Sequence, residues 1–203
     1  MYYNVMIIED LHSIDQRVTL AINSLHSAIT DPVWQLFSAK KIWFVMYAVI
    51  LGFFFWNLGW KRALVVMCMC ILTVTCCDQL GNLVKYSVAR LRPCWDEFMV
   101  AGCLHMLEGK GNHFGFFSAH AANALGFAIC SYLGFKNDTT RSYKIYGWCI
   151  FSWAILVGIS RIFVGKHFLG DVLVGFVVGL VIGYAFARVG RWIIGRFSLQ
   201  DRR

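Results

Sequence analysis

Three short groups of residues hold most of the reactive chemistry in an otherwise apolar chain. They are Lys85 with Arg92-Pro93, Ser118 with His120, and Ser160-Arg161 with His167 and Asp171. His167 and Asp171 stand four apart, a spacing that puts two side chains on one face of a helix. A carboxylate on one ring nitrogen fixes the tautomer and leaves the other nitrogen free to attack. Arginine grips phosphate oxygens with two parallel hydrogen bonds, and lysine adds a compact point charge. Such a set suits anchoring one phosphate and passing it to a histidine.

Each group also has a plainer structural reading. Asp171 can cap a helix beside an interfacial histidine, and Lys85, Arg90, Arg92 and Arg161 can snorkel from the ends of apolar segments. Pro93 favours the functional reading of Arg92, because it stops the helix and fixes the turn that aims the guanidinium. Ser118 fits an N-cap position, where free backbone N–H groups and the positive end of the helix dipole form an anion cradle. His120, in the same turn, is placed to give a proton to a leaving group. Asp78, Asn82 and Lys85 share one helical face. An acid inside an apolar segment is costly unless it is paired or functional, so Asp78 and Asn82 are expected to support the site from behind.

The elements that must position these groups are membrane helices. The chain has 203 residues, of which 59% are hydrophobic and 15% charged. Its mean hydropathy is +0.60. The charged fraction is well below that of a soluble domain, and the apolar runs approach bilayer length. The expected fold is an all-α integral membrane protein, a bundle of about five transmembrane helices at 41–59, 62–88, 116–135, 143–161 and 169–190. Residues 1–40 form an amphipathic N-terminal segment, with Leu11, Ile14, Val18, Ile22, Leu25 and Ile29 at helical spacing and polar residues between them. It lies in the interface or against the bundle, and no basic start with an apolar stretch and cleavage site marks it as a signal. Asp31-Pro32 opens another helix. The transmembrane domain covers 41–190, with an external loop at 92–115, and 191–203 is a basic cytoplasmic tail.

Five spans bring all three groups to one face. The opposite face receives ten basic residues, against six on the site face once Lys85, Arg92 and Arg161 are set aside. The positive-inside bias then puts the site outside the cytoplasm. The formal charge of +8 reflects that bias rather than nucleic acid, since no basic stripe interleaved with aromatics is present. Gly175, Gly179 and Gly183 form a small-residue ridge that permits close packing within the bundle, or a homodimer seam in place of a monomer.

These spacings match a family. KxxxxxxRP from Lys85 to Pro93, Ser118-x-His120, and SRxxxxxHxxxD from Ser160 to Asp171 resemble the type 2 phosphatidic acid phosphatase superfamily, over roughly residues 60–190. Phe117-Ser118-Ala119-His120 departs from the family's Pro-Ser-Gly-His, which touches the turn but keeps the serine and histidine. The resemblance implies a metal-independent lipid phosphatase that needs no cofactor. His167 attacks phosphorus, Asp171 orients it, and His120 serves as acid and then base. Lys85, Arg92, Ser118 and Arg161 hold the phosphate. The substrate is a phospholipid or polyprenyl pyrophosphate, with undecaprenyl pyrophosphate slightly ahead of lipid A, in a bacterial inner membrane with the site facing the periplasm. The alternative is a non-catalytic binder or transporter of lipid phosphates, which would need the cations but not the His167–Asp171 pair.

Cys94 and Cys103 share the external loop, where disulfides persist, and are expected to pair. The six other cysteines lie in spans as small hydrophobes. A zinc site from Cys94, Cys103, His105 and His113 does not fit, because the two cysteines are too far apart for a zinc loop. His12 and His26 read as incidental.

Overall fold

Long apolar runs that end at charged or glycine-containing turns make this chain a set of packed helices. The computed structural model describes residues 2–197, with side chains from residue 9 onward. Eight α-helices follow one another: α1 Tyr2–Asn23, α2 Asp31–Ser38, α3 Trp43–Leu58, α4 Trp60–Val88, α5 Glu97–Ala101, α6 Ala119–Phe135, α7 Lys144–Phe163 and α8 Leu169–Arg196. The described residues contain no strand, only one antiparallel bridge between Leu91 and Phe114.

All five expected spans are helices here, but fewer qualify as crossings. α4, α7 and α8 are long and apolar enough to cross a membrane, and α2 with α3 makes a fourth if that pair, bent by 55°, is one span. α6 has 17 residues, about 26 Å at 1.5 Å per residue, short of the ~30 Å hydrocarbon core. Its composition explains its place. Ala121, Ala122, Ala124, Gly126, Ala128 and Gly134 are buried, so α6 forms the middle of the bundle, packed against α4, α7 and α8. Large apolar side chains such as Phe44, Phe53, Ile71, Leu83, Leu173 and Val177 are exposed on the outer helices, as lipid contact requires.

The glycine ridge packs inside the bundle. A Cβ on Gly175, Gly179 or Gly183 would come within 2.4–2.5 Å of the carbonyl oxygens of Ser118, Ala122 and Gly126. α8 therefore lies with its backbone directly on α6, a contact that larger residues would prevent.

One helix ends where expected but for a different reason, and another runs longer than expected. α4 ends at Val88, where Ala89 adopts a left-handed conformation (φ 52°) and its N–H bonds to Lys85 O. The stop therefore comes four residues before Pro93, which opens a 3₁₀ turn instead. α8 runs on through Arg196, so the start of the expected tail continues the helix, and residues 198–203 lie outside the described residues.

Candidate active site

Four helix ends meet at one end of the bundle: the last turns of α4 and α7 and the first turns of α6 and α8. The last turn of α4 carries Lys85, and that of α7 carries Arg161. Ser118 is the N-cap of α6, its Oγ accepting from the Ala121 N–H at 3.5 Å, and His120 follows in the first turn. The Ser118 N–H donates to Asp171 O at 2.9 Å, which fixes α6 against the start of α8. The plain reading of Ser118 as a cap holds, and it places the free N–H groups of α6 toward the cluster.

His167 lies in the turn before α8 and is 2% exposed, and Asp171 is wholly buried. His167 Nδ1 faces Asp171 Oδ2 at 3.5 Å, which leaves Nε2 as the nitrogen turned away from the carboxylate. Asp171 also caps α8 by accepting the Phe168 N–H at 3.1 Å, while His167 Nδ1, buried beside the same oxygen, makes no hydrogen bond. Burial, and then the charges of Arg161, Arg92, Lys85 and Lys166, hold the imidazole of His167 well below its ordinary pKa. The ring therefore sits among cations with its neutral form favoured. His120 lies within reach of Arg161, Lys40, His167 and Lys85.

Arg92 donates Nε–H to Phe114 O at 3.0 Å, and among the described residues neither Nη has a protein partner. Burial lowers its pKa. Gly115 lies where Arg92, His167 and Asp171 converge. A Cβ there would stand 2.9 Å from Arg92 Cγ, 3.4 Å from Asp171 Oδ2 and 3.5 Å from His167 Nδ1, so only glycine lets this backbone pass. Arg161 is 4% exposed and donates from Nη1 to Ser38 Oγ and, at 3.3 Å, to Glu108 Oε1, while its Nε is buried without a partner. Lys166 is buried and donates to Gly109 O.

The residues singled out for chemistry thus come together: Lys85, Arg92, Ser118, His120, Arg161, His167 and Asp171. The supporting pair fares unequally. Asp78 is half-buried and accepts from Asn123 at 3.5 Å, whereas Asn82 is exposed. Cys94 and Cys103 are both free thiols, one buried with Sγ donating to Lys110 O at 3.4 Å and the other exposed at φ 60°. The expected disulfide is absent because the short helix α5 turns the two residues into different environments.

Sequence reasoning missed how α1 supports the site. Arg90, read as a snorkelling residue, donates to Asp171 Oδ1 at 2.7 Å and to Asp15 Oδ2 at 2.6 Å. Asp15 and Thr19 accept the first free N–H groups of α8, from Gly170 at 3.0 Å and Leu169 at 2.9 Å. Asn23 binds the end of α7 through the carbonyls of Ile162 and Phe163 at 3.0 and 3.2 Å. The signal was the i, i+4, i+8 spacing of Asp15, Thr19 and Asn23, a polar stripe that faces the protein while Leu11, Ile14 and Val18 stay exposed. His12 is not incidental, for its Nδ1 lies 3.1 Å from Arg90 and its Nε2 3.5 Å from Asp96.

Two cavities open beside the cluster. One of about 390 Å³ is lined by Ser38, Lys40, Asp78, His120 and Asn123. The other, about 380 Å³, lies between α3 and α4, with Ile50, Leu51, Phe54, Met67 and Ile71 in its walls. They share Phe44, Tyr47, Val74 and Thr75, so the cavity at His120, where polar and aromatic side chains mix, continues into an apolar groove.

The chain is similar to known proteins over most of its length. The chain is 34% identical over 94% of its length to a lipid A 4'-phosphatase of Bacteroides thetaiotaomicron, 83% of which it covers. It is 31% identical over 91% of its length to one of Porphyromonas gingivalis, covering 78% of that protein. Its fold resembles the crystal structure of a PAP2-type phosphatidylglycerolphosphate phosphatase from Bacillus subtilis, with a TM-score of 0.69 at 20% identity, covering 96% of this chain and 90% of that one. Residues 63–194, well over half of the chain, match the PAP2 superfamily, and the chain belongs to it.

Proposed function

We propose that this membrane phosphatase removes a phosphate from lipid A through a phosphohistidine at His167. The observation that carries the reading is a buried, neutral His167 backed by Asp171 and surrounded by Arg92, Arg161, Lys85 and Lys166. His167 Nε2 attacks phosphorus as the bond to the leaving oxygen breaks, and Asp171 stabilises the imidazolium that forms. His120 protonates the leaving oxygen. It then takes a proton from the water that cleaves the P–N bond and frees phosphate. Lys85, Arg92, Arg161 and the N–H groups at the start of α6 hold the equatorial oxygens, which supplies the charge stabilisation without a metal in the reaction.

The substrate follows from the groove and the relatives. The opening from His120 into the apolar space between α3 and α4 suits an amphiphile whose chains stay in the bilayer. The two relatives that match nearly the whole chain are lipid A 4'-phosphatases, whereas an undecaprenyl-diphosphatase of Bacillus subtilis matches only 44% of it. This moves the preference from the polyprenyl carrier to lipid A. We place the chain in a bacterial inner membrane as a five-span bundle, with α6 shielded by its neighbours and the cluster on the periplasmic side, where the charge bias puts it.

The test is phosphate release by purified protein in detergent with chelator present, offered lipid A, undecaprenyl pyrophosphate and phosphatidic acid side by side. Lipid A is expected to react fastest, and His167→Ala to lose at least about 10³-fold in rate. An acid-labile phosphoenzyme should be trapped in the wild type and absent from the variant. Substrate binding without release by the folded wild type would establish the binder instead. Loss of release on chelation with folding unchanged would overturn the metal-free step.

A further inference from the structure

Glu108 differs from the other acid of the cluster, because it meets a cation that the phosphate also needs. Asp171 is committed to Arg90 at 2.7 Å. Glu108, in the loop after α5, reaches Arg161 instead, with Oε1 3.3 Å from Nη1. Ser38 Oγ, at the end of α2, accepts from that same Nη1 and donates to Glu108 Oε1. The Glu108 charge also offsets part of the pKa lowering that burial imposes on Arg92 and Lys166. One carboxylate thus lies within electrostatic reach of three cations around His167.

The contact leaves most of the guanidinium unused. Glu108 takes one N–H of Arg161 at 3.3 Å, long for a charge-assisted bond, whereas a guanidinium offers five donors and favours a parallel pair. Arg161 Nε is buried without a partner, so hydrogen-bonding capacity stays open on the same group. A phosphate oxygen suits that open edge, and a phosphate there would set two like charges against one cation.

Glu108 is built to give way. Its side chain is 33% exposed, against 5% for Arg161. The backbone around it is held, since Gln35 Nε2 donates to Leu107 O at 3.1 Å and Lys166 Nζ donates to Gly109 O. Rotation of the Glu108 side chain between staggered rotamers releases Arg161 without moving the loop.

We propose that Glu108 is an internal competitor for the phosphate cradle: its carboxylate holds Arg161 until a phosphate displaces it, and returns as phosphate leaves. This rests on the reading of the cluster as a phosphate site. The carboxylate gives Arg161 a partner when no anion is bound, which a buried cation requires. It also keeps free phosphate from lodging in the site after hydrolysis. Glu108 therefore sets how tightly the site holds phosphate and takes no part in the chemical step.

The test is calorimetric titration of the full-length protein in detergent with inorganic phosphate alone, folding being checked by circular dichroism. The nearly isosteric Glu108→Gln is expected to bind phosphate about tenfold more tightly than the wild type, because one like charge is gone. Glu108→Ala should tighten binding as well. Glu97→Gln, which removes an exposed acid at the start of α5, should bind as the wild type does. Unchanged or weaker binding in both folded Glu108 variants would overturn the proposal and leave a carboxylate that only positions Arg161. Equal tightening in Glu97→Gln would overturn it too, by reducing the effect to net charge. Arg92→Ala tests the cradle itself. Loss of phosphate binding there supports the cradle whatever Glu108 does, while undiminished binding, or no uptake by any form, overturns both readings.

Discussion

The seam between α6 and α8 and the seam between α3 and α4 are built from similar apolar sequence but do opposite things. In the first, Gly175, Gly179 and Gly183 let α8 rest on the carbonyls of Ser118, Ala122 and Gly126 with no side chain between. In the second, Phe44, Tyr47 and Val74 hold the helices apart and leave space into the bilayer. The closed seam positions the two histidines, one at the start of α6 and one just before α8. The open seam reaches the cavity at His120. Small residues allow backbone contact and hence a fixed register, while large ones keep a groove.

The closed seam should break most easily. Gly179→Val puts a Cβ where Ala122 O lies at 2.4 Å and is expected to cost about 3 kcal/mol or more, read as loss of folded protein in a thermal melt in detergent. Nearly as large is Arg90→Ala, which strips the buried Asp171 and the half-buried Asp15 of their shared cation. It should cost about 3 kcal/mol and lower kcat by roughly a hundredfold through a misplaced Asp171. Arg90→Lys should restore less than half of the lost activity, because one ammonium cannot bridge both carboxylates in parallel.

The open seam should answer differently. Thr75→Trp fills the groove and is expected to raise KM for a long-chain lipid phosphate about tenfold. Hydrolysis of a short, soluble phosphate ester should stay within about twofold of the wild type. Equal loss on both substrates would show that the groove does not take the lipid chain.

Smaller effects sharpen the contrast. His167 has its folded pKa lowered by burial and the nearby cations, so the unfolded chain binds the proton more tightly. Its contribution to stability is present above the unfolded pKa of about 6.5 and is lost as pH falls from there toward the lowered folded value. His167→Gln should flatten that part of a stability–pH curve. Ala89→Gly relieves the left-handed conformation at the end of α4 and should stabilise the protein by about 0.5–1 kcal/mol without altering activity.

Much of the cluster was legible because its chemistry is local. Lys85 and Arg92-Pro93, Ser118 and His120, and His167 and Asp171 are each close in sequence, so a single helix end or turn keeps the members of each pair near one another. The α1 stripe was harder to read, since the spacing of Leu11, Ile14 and Val18 fits a helix either in the interface or against the bundle. In the folded chain the apolar side stays exposed, and Asp15, Thr19 and Asn23 turn in to satisfy backbone groups at other helix ends.

By itself the sequence determined an all-helical membrane bundle, the basic, imidazole and carboxylate side chains that gather at one end of it, and a glycine ridge made for close contact, because each follows from short-range spacing and side-chain chemistry. Only the tertiary structure decided that Arg90 and Asp15 hold Asp171, that Cys94 and Cys103 stay apart, and that Glu108 reaches Arg161. These pairings span up to 81 residues, between Arg90 and Asp171. No local period encodes them, and they exist only once the packed helices have brought their ends together.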